Sequence, residues 1–114
     1  MELHYSETDY GIRMIRLTGK LDHVGVAQIE DQFADHCAGE NVRVIVDLAG
    51  VNFLTSIGIR LLLLSGKSVT GHGGKMVLLN PMDLVKEELL LTGIDETVPV
   101  YADLDQALAA LGAR

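Results

Sequence analysis

A chain of 114 residues supports one domain with one core and is too short for two ordinary ones. Hydrophobic residues make up 48% of it, which excludes a disordered chain, and with 4% aromatics and no Trp the core must be aliphatic. A formal net charge of −7 argues against nucleic-acid binding, which needs a positive footprint, and suits a protein partner that carries basic residues.

Residues 3–8 and 12–18 read as two β-rich segments separated by Asp9-Tyr10-Gly11, a turn signal, so a hairpin is expected. Gly19-Lys20-Leu21-Asp22-His23 follows as a loop, in which Asp22 is placed to cap the next helix. Val26, Ile29, Phe33 and Cys37 recur at three- and four-residue steps, one apolar helical stripe stopped at Gly39. Residues 42–48 are nearly continuous and β-branched, the pattern of a central strand covered on both faces. Asn52-Phe53-Leu54-Thr55-Ser56 then delivers a hydroxyl pair to the start of a second helix over residues 56–69. Gly71-His72-Gly73-Gly74 breaks the chain, and residues 75–79 form a short strand. Asn80-Pro81 reads as a cap with a first-turn proline, opening a third helix that runs to about Thr92 and stops at Gly93. Residues 97–100 suggest a last strand, kept at an edge by Pro99, and Asp103 caps a final helix. Strands alternating with helices imply a single α/β domain over residues 1–114, built on a mixed sheet.

Laid out at about 100° per residue, the second helix carries two apolar stripes where a helix lying on a sheet needs one. Ile59, Leu62, Leu63 and Val69 form the stripe expected to face the sheet. Ile57, Leu61 and Leu64, joined by Arg60, form the other, which is expected to be exposed and to meet a partner or a second copy in a homodimer. Ser56 has two readings at a helix start. It caps the helix, or, once modified, it holds a phosphate against the free N–H groups there. Thr55 is an equally polar neighbour open to either role. His4, His36 and His72 are scattered, without the spacing of metal ligands, so no metal and no cofactor is expected. No nucleophile, base and oxyanion hole assemble, so an enzyme is not expected. No apolar run reaches the roughly 18 residues of a membrane span, so direct membrane insertion is not expected. The first residues lack the basic and apolar regions of a signal peptide, and Cys37 is alone, so a reducing cytoplasm is the expected location.

Ile15-Arg16-Leu17-Thr18-Gly19-Lys20-Leu21-Asp22 resembles the opening strand and loop of STAS domains, the anti-sigma factor antagonists. The segment from Val46 through Thr55-Ser56-Ile57-Gly58-Ile59 resembles their signature, and Gly73-Gly74-Lys75-Met76-Val77-Leu78, Leu91-Thr92-Gly93-Ile94 and Ala107-Leu108 follow the later pattern. The resemblance implies a mixed sheet with helices packed on one side. It implies binding to an anti-sigma factor, often a serine kinase, which frees a sigma factor. It places the kinase's phospho-acceptor at Ser56, with Asp22 in the loop beside it, and it brings in a metal-dependent serine phosphatase as the resetting partner. The family usually has Asp before the acceptor, where this chain has Thr55, and small residues where it has Ile57, Arg60 and Leu64. That bulk works against a kinase's close approach. The alternative is a STAS module without the switch, a constitutive interaction subunit such as the soluble part of a transporter complex.

Overall fold

The computed structural model describes residues 1–113. Strands β1 (Glu2–Glu7) and β2 (Arg13–Leu21) form the expected antiparallel hairpin. Its turn is held by Thr8, whose hydroxyl accepts from the Tyr10 and Ile12 N–H groups, and by Gly11 at φ +75°. Helix α1 (His23–Cys37) leads to β3 (Arg43–Leu54), then α2 (Ser56–Gly71), β4 (Lys75–Leu79) and α3 (Asp83–Thr92). A 3₁₀ turn (Ile94–Glu96), β5 (Val100–Tyr101) and α4 (Leu104–Ala110) complete the chain. The sheet order is β1-β2-β3-β4-β5, with every pair after the hairpin parallel.

β3 is central because its side chains are apolar on both faces. Val44, Val46 and Leu48 pack with Ile15 and Leu17 under α1, α2 and α3. Ile45 packs with Met14, Val77 and Leu79 under Ala107 and Leu111 at the C-terminal end. Three helices thus share one face, and α4 covers part of the other. The stripe Val26, Ile29, Phe33 and Cys37 is buried, as its spacing requires, and Gly39 follows the helix at φ +123°.

Some boundaries differ from expectation. The segment expected as a loop after residue 18 is strand, because β2 pairs with β3 through Leu21↔Leu54, past irregularities beside Thr18 and Gly19. Asn80 is not a helix cap. It adopts a left-handed φ of +51°, its N–H donates to the Tyr101 carbonyl at 2.8 Å, and Met82 takes the N-cap position. Pro81 is buried ahead of the helix, outside its first turn. The last strand is shorter and later than residues 97–100, since Thr97 and Val98 close the 3₁₀ turn by donating to Ile94.

Candidate regulatory site at the ends of β2 and β3

Parallel pairing brings the C-terminal ends of β2 and β3 side by side, so the next residues, Asp22 and Thr55, leave the sheet together. Each opens a helix. Asp22 is the N-cap of α1, and its Oδ1 accepts the Gly25 N–H at 2.9 Å. That hydrogen bond holds the Asp22 carboxyl below its usual pKa of 3.8, partly offset by desolvation.

Ser56 is not the cap of α2. Thr55 occupies that position and Ser56 is the first helical residue. Thr55 makes no side-chain bond to the helix. Its Oγ1 instead donates to the Leu21 carbonyl at 3.3 Å, as its backbone N–H also does. The α2 N-terminus therefore has no side-chain cap and no acidic residue in its first turn, which leaves its partial positive charge open. The Ser56 side chain is exposed there, whereas Thr55 is half-buried and engaged.

Two glycines set the tightness of this junction. A Cβ on Gly58 would collide with the Leu21 carbonyl oxygen and meet Leu54 Cδ1 at 3.0 Å, and one on Gly25 would collide with the Lys20 carbonyl oxygen. Both helices can start against the strand ends only because neither residue has a side chain.

Along α2, Leu62 and Val69 are fully buried and Ile59 and Leu63 are half-buried against the core, as the first stripe predicts. The second stripe divides. Ile57 and Leu64 are 41% and 50% exposed and Arg60 is exposed, but Leu61 is half-buried and packs against the core. Its expected exposure is corrected by α1, whose Val26 and Glu30 rise beside α2. They line a cavity of about 250 Å³ with Ile57, Arg60, Leu61 and Leu64. A second hollow of about 350 Å³ continues past Leu64 to His72. A single helix's periodicity contains no signal for a wall supplied by another helix. Among the described residues no group of three or more His, Cys, Asp or Glu could hold a metal ion, and no helix is long and apolar enough to cross a membrane.

The family model described as "STAS domain" matches residues 6–107. The chain belongs to the STAS domain family. The anti-sigma F factor antagonist of Lysinibacillus sphaericus is 32% identical to this STAS domain over 82 residues, 71% of this chain and 70% of that protein. The solved anti-sigma-factor antagonist (STAS) domain protein from Planctomyces limnophilus superposes with a TM-score of 0.84 at 26% identity, covering 97% of this chain and 98% of that one. The anti-sigma factor antagonist SpoIIAA in its unphosphorylated form shares the fold, with a TM-score of 0.76 at 22% identity and 99% of each chain covered. Phosphorylated Bacillus SpoIIAA shares it too, with a TM-score of 0.69 at 22% identity over 96% of this chain and 98% of that one. Five mixed strands and four helices of this STAS domain follow that architecture.

Proposed function

We propose that the chain is an anti-sigma factor antagonist. It binds an anti-sigma factor with serine-kinase activity through the exposed outer side of α2, so that a sigma factor is released, and phosphorylation of Ser56 ends the binding. The observation that carries this reading is the exposed Ser56 side chain on a helix start that nothing caps, next to exposed Ile57. An unmodified hydroxyl leaves the α2 side of the contact without negative charge: Ile57 and Leu64 are its apolar sides, Arg60 its one charged group and Leu61 its floor. A phosphate brings about two negative charges. The free N–H groups of α2 stabilise it, so the domain stays folded. The partner, however, would have to desolvate that charge against an aliphatic surface. Asp22, ionised on the adjoining loop, adds like-charge repulsion. The antagonist therefore works by binding, without catalysis of its own, and a metal-dependent serine phosphatase restores it. We place it in the cytoplasm, where the kinase has ATP.

Ser56 is favoured over Thr55 as acceptor because the Thr55 hydroxyl is half-buried and donates to Leu21. Incubation with ATP and a cognate anti-sigma factor that is a serine kinase, followed by mass spectrometry, tests the assignment. One phosphate is expected on wild type and on Thr55→Ala, and none on Ser56→Ala. Equal modification of Ser56→Ala removes the reading. The side chains of Ile57, Arg60 and Leu64 around the acceptor support the second reading, a constitutive module that no kinase engages. It is the one left standing if none of the three proteins is modified.

A further inference from the structure

Helix α3 buries Val85 and Leu89 and turns the rest of its surface to solvent. That surface is not polar. Leu84 and Leu91 are 73% and 75% exposed, the most exposed of the large hydrophobic residues among the described residues, and they lie one above the other, seven residues apart. Leu90 is exposed on the flank, and Phe53 at the end of β3 shares a cavity of about 280 Å³ with Leu84. Between and beside these side chains stand Asp83, Glu87 and Glu88 against the single cation Lys86, all exposed and none in an ion pair among the described residues, so carboxylates outnumber the one ammonium. The last turn of α3 carries no basic residue, so the partial negative charge of the helix end adds to theirs.

We infer that Phe53 and the outer face of α3 form a second docking surface, separate from the α2 site, for an amphipathic helix of another protein that carries Lys or Arg between its apolar anchors. Exposed leucines at a helical spacing fit helix-on-helix recognition. The carboxylates choose the sign of the partner. A second copy of this chain is a poor occupant. A two-fold axis through the middle of α3 would set Leu84 against Leu91, but it would also set Glu87 against Glu88 of the other copy, between two chains of net charge −7. A basic helix satisfies the leucines and the carboxylates at once. The surface is independent of the Ser56 reading.

The test is an amide NMR titration of the full chain with synthetic helical peptides. One has leucines on one face interspersed with lysines, and its control has glutamates in place of the lysines. The lysine peptide is expected to shift Phe53 and residues 83–92, with binding weakened roughly fivefold or more by high salt, which screens such contacts. Leu84→Ala with Leu91→Ala, both exposed and so near-neutral for folding, should weaken it about tenfold. Glu87→Gln with Glu88→Gln should weaken it severalfold, and Ser56→Asp should leave it unchanged. Equal binding of the glutamate peptide, or shifts centred on α2, overturns the inference. So does a dimer of the chain that Leu91→Asp dissociates, since the face would then belong to a second copy.

Discussion

Thr55 donates twice to one acceptor: its backbone N–H and its Oγ1 hydroxyl both reach the Leu21 carbonyl oxygen, each at 3.3 Å. The first turn of α2 is thereby tied to the end of β2, and the threonine is spent on the neighbouring strand instead of on its own helix. That is why Ser56 and the N–H groups of the helix start remain free for a ligand.

The tie predicts a strong asymmetry among glycines. Gly58→Ala drives a Cβ into Leu21 and Leu54, so a loss of about 1–3 kcal/mol is expected from overpacking. Gly71→Ala, at the far end of the same helix with nothing within 4 Å, should be neutral or stabilising by up to ~1 kcal/mol. Urea denaturation of the two variants measures the difference.

Asp22 should contribute to an acid limb. Its folded pKa lies below the usual 3.8 because the carboxylate accepts the Gly25 N–H. A depressed folded pKa means that the unfolded chain takes up the proton first. The contribution is therefore complete above the unfolded value and is lost as pH falls through the folded one. Thermal midpoints measured downward from pH 5 should fall for wild type. Asp22→Asn, which keeps an accepting oxygen at the cap, should fall less steeply.

Cys37 should be chemically silent in the native state. Burial on the α1 stripe pushes its thiol from 9.0 up to about 12. A thiol reagent at pH 8 should react far more slowly with the folded domain than with the chain in urea. The raised pKa also means that stability falls as pH rises above 9, because the unfolded thiol ionises first.

The fold was legible where periodicity is decided locally. The β-branched run that became β3, the α1 stripe and the stops at Gly39 and Gly93 needed no tertiary information. The end of β3 was hidden because Asn52 and Phe53 are exposed, and only pairing with β2 keeps that stretch extended. Asn80 misled because Asn favours both helix caps and left-handed backbone, and its bond to Tyr101 selects the second. At the candidate site, the signature pointed to Asp22 and Ser56, but the order of Thr55 and Ser56 at the helix start was not legible. That order depends on Leu21, far away in sequence. The outer leucines of α3 went unread because attention to helix ends does not weigh a helix's unpaired side.

If α2 is the partner surface as proposed, the division within its second stripe should separate binding from folding. Ile57→Asp and Leu64→Asp, at exposed positions, should abolish binding to the anti-sigma factor and cost within about 0.5 kcal/mol of stability. Leu61→Asp places a charge against the core and should cost several-fold more, about 1–3 kcal/mol. Binding by calorimetry beside urea denaturation of the same three variants distinguishes the surface from its floor.

The most direct measurement compares the affinity of the anti-sigma factor for the unmodified chain and for the chain phosphorylated at Ser56, with circular dichroism on both. The account predicts an unchanged fold and a loss of at least about a hundredfold in affinity, or ~2.7 kcal/mol, from the phosphate alone. Undiminished binding of the phosphorylated chain, or a loss of binding accompanied by unfolding, would contradict it.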